Sequence, residues 1–269
     1  MGRRQGANST HLRCRSGFSV LIKSVMQAQM AASRMPSRFS LLPSTADPDM
    51  PLEHARAPKQ TRSRQSFDRV LDAATQILAE RGFAGLTLTQ VSRQSRVSIG
   101  SIYCRVESKE DLVRAVQARA LKEMDHEFAM LVNRVRRKSL PLRSLVPTVV
   151  RELALYLRRH APLLRAFMQQ APVDPVLEAV GKKSFQQTAL DFKLILLDRH
   201  SEFQHEDPEH AAAMCFTVVY GCLARYLGLG APGSEEGDWN QLIEDLGLMA
   251  LAFLVVDLKH ATSASKNSR

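Results

Sequence analysis

The sequence predicts an all-α protein. Three observations carry that prediction. Leu, Ala, Arg, Glu, Gln and Met are plentiful while only 6% of residues are aromatic. Apolar residues recur at helical spacing from Ser66 onward, and prolines divide the later chain into helix-length segments. The first favours helix by propensity, the second by period, and the third because proline punctuates helices. With 269 residues, 45% of them hydrophobic, the chain is long enough for one or two domains with real cores.

Residues 1 to about 60 are rich in Arg and Ser, have no sustained period and carry prolines at 36, 43, 48, 51 and 58. That composition predicts a disordered basic tail. Its first 46 residues lack Asp and Glu, a superficial likeness to an organelle transit peptide. The apolar stretch from Phe18 to Val25 is a poor secretory signal because Lys23 interrupts it. Translation beginning at Met50 is the alternative, the earlier residues then being a gene-boundary artefact. Lys59, Arg62 and Arg64 form a basic arm ahead of the folded part, able to reach phosphates or a minor groove; a solvated linker is the competing reading.

The first helix is predicted from Ser66, with Phe67, Val70, Leu71, Ala74, Ile77 and Leu78 on one face, and stops at Arg81-Gly82, where a basic last turn meets the residue best suited to a positive-φ cap. Thr87-Leu-Thr-Gln90 matches a capping box that opens a second helix, which ends near Ser95. After a turn at Arg96-Val97, Ser98 caps a third helix barely two turns long, carrying Ile99, Ile102 and Tyr103. Helices this short are unstable alone, so Leu88, Val91, Ile99 and Ile102 are expected to dock onto the first. Ser108-Lys-Glu-Asp111 is another capping box, opening a long fourth helix with Leu112, Val113, Val116, Met124, Phe128, Leu131 and Val135.

Two short helices joined by a tight turn make a helix-turn-helix, whose second member fits a major groove about 12 Å wide. The small residues Gly100 and Ser101 let its backbone come close to DNA. Charge agrees. Residues 59 to 119 hold eleven basic and six acidic side chains, residues 120 to 269 hold eighteen of each, and the whole net charge of +10 lies in the first 119 residues. A basic N-terminal part on a neutral body points to a polyanion as the first part's partner.

The stretch "RVLDAATQILAERGFAGLTLTQVSRQSRVSIGSIYCRVESKEDLVRAV" resembles the DNA-binding domain of the TetR family of transcriptional regulators, over residues 64 to 124 with the helix-turn-helix at 87–106. The likeness rests on an ordered set: E-R-G-F closing the first helix, Leu-Thr starting the second, V-S-I-G-S-I-Y in the third and S-K-E-D-L opening the fourth. Three departures stand out. Arg96 occupies the turn where the family usually has glycine, at a cost of about 1 kcal/mol if the position is left-handed. Ser92 and Ser95 replace common alanines, and Cys104, Arg105 and Val106 replace an aromatic, a histidine and a phenylalanine. The resemblance implies that Thr87, Thr89 and Gln90 make backbone and groove-edge contacts, that Ser98, Ile99, Gly100 and Ser101 face bases, and that Tyr103, Arg105 and Lys109 contact phosphates. Hydroxyls, amides and cations at helix N-termini suit phosphates in their own right. Core packing is the alternative for Ile99, a cap-adjacent surface lysine for Lys109.

Beyond the fourth helix, segments are expected near 144–160, 162–170, 175–200, 208–228 and 239–260. The resemblance implies that residues 125–262 form a helical ligand-binding and dimerisation domain, and that the whole is an Ω-shaped homodimer on a palindromic operator. Independently, the segments at 208–228 and 239–260 are apolar over most of their circumference, and a partner subunit would bury them economically; burial within one chain is the alternative. Phe128, Tyr156, Phe167, Met168, Phe192, Met214 and Tyr220 are candidates for lining an apolar ligand cavity between helices, with core packing the competing reading for each.

Other signals carry less. Cys14, Cys104, Cys215 and Cys222 show no metal-ligand spacing and fit a reducing cytoplasm. The runs Ala211 to Ala224 and Leu246 to Val256 are too short to span a bilayer, which needs about 20 residues, so no membrane partner is expected. Gly228-Leu-Gly-Ala-Pro-Gly233 fits G-x-G-x-x-G only formally, because it follows a helix and contains proline. His200, His205 and His210 with Glu202, Glu206, Asp207 and Glu209 read as an exposed loop in preference to a metal site. Arg134, Arg136, Arg137 and Lys138 read as solvated charge at a helix C-terminus. No cofactor and no catalytic residues are expected: there is no P-loop, H-E-x-x-H, G-x-S-x-G or convincing acid/base pair. The expectation is a ligand-responsive repressor in the cytoplasm, associated with the nucleoid. Its runner-up is a DNA-binding structural protein without an effector.

Overall fold

The computed structural model describes residues 57–230 and 237–256, all within the unit Leu52–Arg269. Among these residues there are helices and connections but no strand. In chain order the α-helices are α1 (Ala57–Gly85), α2 (Leu88–Ser95), α3 (Ile99–Tyr103), α4 (Lys109–Arg136), α5 (Leu142–Gln170), α6 (Pro175–Leu197), α7 (Pro208–Tyr226) and α8 (Trp239–Val255). Single 3₁₀ turns follow α5 and α6, at Ala171–Val173 and His200–Glu202. Most of the tail, the residues beyond 256 and part of the glycine-containing loop lie outside the described residues.

Three boundaries differ from the sequence reading: the helix expected near 239–260 ends at Val255, with Val256 extended, and the other two concern α1 and α5. α1 begins at Ala57, well before its apolar period, with Pro58 in the first turn, where its missing donor matters least; Lys59, Arg62 and Arg64, expected in an arm or linker ahead of the folded part, are helical. Its regular part ends where expected: Gly82 adopts φ 64° and ψ −173°, a region open essentially to glycine alone. The segments expected at 144–160 and 162–170 are one helix, α5, with Pro147 and Pro162 inside it. Buried Leu153, Ala154, Leu157, Ala161, Ala166 and Phe167 run through the second proline without a break, so packing on one continuous face outweighs the lost backbone hydrogen bonds.

Side chains set the other helix starts. Asp174, Asp207 and Asp238 cap α6, α7 and α8, each accepting from backbone N–H groups of the first turn, and proline follows the first two caps at the position where its missing donor matters least. One continuous apolar core runs through the helices. Val70, Ala74, Ile77, Leu78, Leu86, Val91, Ile102, Leu112 and Val116 pack α1 to α3 against the start of α4. Phe128, Leu153, Phe192, Ile195, Phe216 and Leu223 join α4 to α7. α8 crosses α5 closely, since a Cβ on Gly247 would lie 3.2 Å from the Pro147 Cα.

Candidate nucleic-acid interface

The helix-turn-helix is built from side-chain caps. Thr87 Oγ1 accepts from the Gln90 N–H at 3.2 Å and donates to Gln90 Oε1 at 3.1 Å. Gln90 thus reaches back to the hydroxyl of its capping partner. The turn after α2 is left-handed at Arg96, φ 55° and ψ 36°. The Arg96 and Val97 amides both donate to the Ser92 carbonyl, the first as in an αL close and the second as in a Schellman close. Ser92 Oγ donates to the Val97 carbonyl at 2.6 Å, and buried Ser95 donates to the Ser92 carbonyl at 3.4 Å. The two serines therefore tie the turn in which Arg96 takes the strained conformation, and Gln94 ties α2 to α1 through Gln76 Oε1 at 2.7 Å.

α3 starts on Ser98, which accepts from the Ser101 N–H at 3.2 Å, with the two hydroxyls 2.8 Å apart. Val97, Ile102 and Val106 anchor it, exposed by only 8%, 0% and 6%. Ile99 does not join them: it is 42% exposed, against the expectation that it docks onto the first helix. Three anchors suffice for a helix of five residues, and Ile99 is left on the outer surface with Gly100, Ser101 and Tyr103, the last 53% exposed. Space around Gly100 is open, with nothing within 4 Å of where a Cβ would stand. Thr87 and Thr89 are exposed as well, and Gln90 is half-buried.

The cations are held in place. Arg105 donates to Ser63 Oγ, and its guanidinium lies 5.5 Å from the Phe67 ring centroid. Lys109, at the start of α4, places Nζ 3.9 Å from the Phe83 ring centroid. Both contacts are cation–π arrangements that use aromatic residues of α1 to orient charge beside α3. A groove of about 370 Å³ runs between α1, the turn and α3, lined by Ser63, Arg69, Arg96, Ser98, Ser101 and Arg105 among others. Arg69 was not singled out from the sequence. Its only signal there is a position next to the apolar stripe, and which way it points is settled by how α1 packs.

A polar joint connects this region to the rest. Arg114 of α4 donates from Nε to Asp174 Oδ2 and from Nη1 to Asp111 Oδ1, each at 2.9 Å. Asp174 Oδ1 accepts from the Val176 and Leu177 amides at 3.0 and 3.2 Å, and buried Gln117 donates to the Leu177 carbonyl at 2.9 Å. Burial pulls the Asp174 carboxyl toward its neutral form, but Arg114 and the two amides outweigh it and hold the group below its ordinary range. The start of α4 beneath α3 is thereby fastened to the start of α6.

The candidate ligand-lining residues fall into two places. Phe128 and Tyr156 meet as tilted rings 5.1 Å apart between α4 and α5, with His160 edge-on 4.9 Å from Tyr156. Burial, helped by Asp125 and Glu127, pushes the Tyr156 phenol well above its usual range. Between α6 and α7, Phe216 lies 5.4 Å from both Phe192 and Tyr220, and Phe185 is 4.8 Å from Tyr220; Phe185 and Phe216 were not foreseen. Phe167 is buried and Met168 half-buried. Met214 is 38% exposed and lies on the outer face of α7, because its helical position is the one opposite buried Phe216 and Val219.

In the histidine and acid cluster, read as an exposed loop, Glu209 and His210 lie in the first turn of α7 and several groups are engaged in hydrogen bonds. Glu202 Oε2 accepts from the Leu142 N–H, Asp207 accepts from the His210 N–H, and His205 Nδ1 accepts from the Asp207 N–H. Among the described residues no three His, Cys, Asp or Glu side chains are grouped to hold a metal, and no helix is long and apolar enough to cross a membrane.

Residues 70–116 match the family model for bacterial regulatory proteins of the tetR family. No curated protein matches the chain by sequence. Solved structures do match by fold. One from Mesorhizobium loti, described as a TetR-family transcriptional regulator, is 18% identical with a TM-score of 0.60, covering 72% of this chain and 96% of its own. A Rhodococcus structure so described is 16% identical with a TM-score of 0.52, covering 72% and 100%. The Bacillus subtilis transcriptional regulator FadR, in complex with stearoyl-CoA, is 15% identical with a TM-score of 0.53, covering 70% and 98%. At these identities the likeness is one of fold.

Proposed function

On the premise that residues 70–116 are a TetR-family regulatory domain and that the helices have the TetR-family fold, we propose that this chain is a sequence-specific transcriptional repressor whose palindromic operator is released when a small, mainly apolar molecule binds. The observation that carries the reading is the surface of α3: Ile99, Gly100, Ser101 and Tyr103 are exposed together on a helix that three buried anchors and a serine cap hold rigid. An exposed isoleucine and tyrosine are apolar surface that thymine methyls and sugars can cover, and the cap hydroxyls and amides suit base edges and phosphates. Thr87, Thr89 and Gln90 flank the groove edge in this reading, with Arg105 and Lys109 on phosphates. The DNA-binding part is 64–124, and 125–262 serves the effector and the partner subunit.

Dimerisation is supported by an exposed apolar surface on the last two helices. Met214 and Val218 on α7 are 38% and 42% exposed, and Leu248, Met249 and Val255 on α8 are 61%, 61% and 41% exposed. Met214 and Val218, like Leu248 and Val255, recur at helical spacing and form stripes. A second copy covers them, and its two-fold axis sets two α3 helices one DNA turn, about 34 Å, or a longer family-dependent interval apart. The aromatic groups around Tyr156 and Phe216 offer an apolar interior for an effector, and the acyl chain in the Bacillus subtilis neighbour is of that chemical kind.

The test is selection of duplexes from a random pool by the full chain, followed by titration of the winner and a scrambled duplex across a salt series. The reading expects a palindromic winner bound at least about a thousandfold tighter than the scramble. Equal binding to both, vanishing with salt, would overturn it in favour of a structural DNA-binding protein.

A further inference from the structure

We propose that Arg96, in the turn of the helix-turn-helix, makes a DNA backbone phosphate contact in the groove between α1 and α3. This rests on the DNA-binding reading and extends it by a residue and a place.

The geometry begins with the backbone. Arg96 sits at φ 55° and ψ 36°, a conformation that disfavours any Cβ and suits glycine. A side chain there does not help the turn. Its closing hydrogen bonds come from the Arg96 and Val97 amides to the Ser92 carbonyl and from the Ser92 hydroxyl to the Val97 carbonyl, and all of them would survive with glycine. Neither is the side chain packed, since the residue is exposed. No described carboxylate pairs with its guanidinium.

Arg96 lines the groove. Arg69 and Arg105 line it too, together with Ser63, Ser98 and Ser101, and no Asp or Glu is in the lining. Arg69 and Arg105 are steadied by serine hydroxyls of α1, Ser66 and Ser63 respectively. No described carboxylate neutralises either of them. Three arginines line one open groove that has no Asp or Glu in its lining, so the groove is basic and suits an anion. Ser98 and Ser101 belong both to this lining and to the exposed start of α3, so the strand whose bases α3 faces carries its phosphates past the groove mouth. Arginine suits that anion because its planar fork gives two parallel donors to phosphate oxygens.

The test compares Arg96→Gly and Arg96→Lys with the unaltered full-length protein, on the selected duplex and a scrambled one. Glycine relieves the strained turn and raises Tm by about 2–4 °C. It also weakens binding to both duplexes, on the order of tenfold, and lowers the salt-dependence slope by about one for each bound protomer. Lysine keeps most of that slope, because a point charge still releases a counterion. Opposite signs in stability and affinity are what a merely structural residue would not produce.

Arg96→Gly binding both duplexes with unchanged affinity and slope overturns the inference while leaving the DNA-binding reading intact. So does a loss confined to the selected duplex, since a base contact and not a phosphate would then be missing. An unaltered protein that binds no duplex overturns the reading and this inference with it.

Discussion

α3 is five residues long and leaves Ile99 and Tyr103 in solvent, keeping only Ile102 inside; α7 is nineteen residues long and buries Ala211, Ala212, Cys215, Phe216, Val219 and Leu223 along one face. Both are helices in the same unit, but they are held differently. α3 depends on what lies at its ends, the Ser98 cap, the left-handed turn before it and the buried Val97 and Val106. α7 depends on what lies along its side, above all the rings around Phe216. That difference lets α3 be so short. Its stability comes from its neighbours, which frees its own outer face for a partner, whereas a helix that builds the interior must spend a whole face on packing.

Breaking the second kind of support has the largest effect. Phe216→Ala removes the ring that Phe185, Phe192 and Tyr220 surround, and is expected to destabilise by about 3–5 kcal/mol in urea unfolding followed by circular dichroism. A cost below about 1 kcal/mol would mean that the rings line a space able to collapse. Gly247→Ala is next. Its methyl meets the Pro147 Cα at 3.2 Å, on backbone that cannot swing away, and overpacking of this kind costs about 1–3 kcal/mol; a raised Tm would show that α5 and α8 can separate freely.

The first kind of support breaks more gently. Ser92→Ala loses the 2.6 Å bond to the Val97 carbonyl and should cost about 1 kcal/mol. It should also loosen the turn, seen as faster amide exchange at Val97 and Ile102 with α7 unaffected. Asp174 joins the two regions and gives a pH signature. Its carboxyl is held below the ordinary range in the folded chain, so the folded state binds fewer protons there than the unfolded one. Its stabilisation is fully present above the unfolded pKa of about 4 and is lost as pH falls through the folded value. Asp174→Asn should flatten the acid limb of a stability–pH curve measured from pH 5 down to 2, and an unchanged limb would show that Arg114 and the amides contribute nothing there.

How far the sequence could be read follows the same division. Thr87, Ser98 and Ser108 were legible as caps because a cap is local: a hydroxyl three residues ahead of the amide it accepts from is visible in the spelling. Gly82 was legible for a similar reason, since a positive φ selects glycine wherever it occurs. Ile99 was not, because period alone cannot say whether an apolar residue at the end of a short helix meets a neighbour or solvent. Pro162 was misread as a break for want of the same information: the continuous buried face of α5 exists only once α4, α6 and α8 are packed around it.

The sequence by itself determined that the chain is helical, where the helix-turn-helix lies and which residues cap its helices, because propensity, period and capping act within a few residues. The family resemblance, not the local spelling, marked Arg96 as standing where glycine is usual. Only the tertiary structure decided that Arg96 shares a groove with Arg69 and Arg105, that Met214 faces outward while Phe216 faces in, and that Arg114 fastens α4 to α6. Those relations join residues far apart along the chain, and packing, not local spelling, brings them within reach.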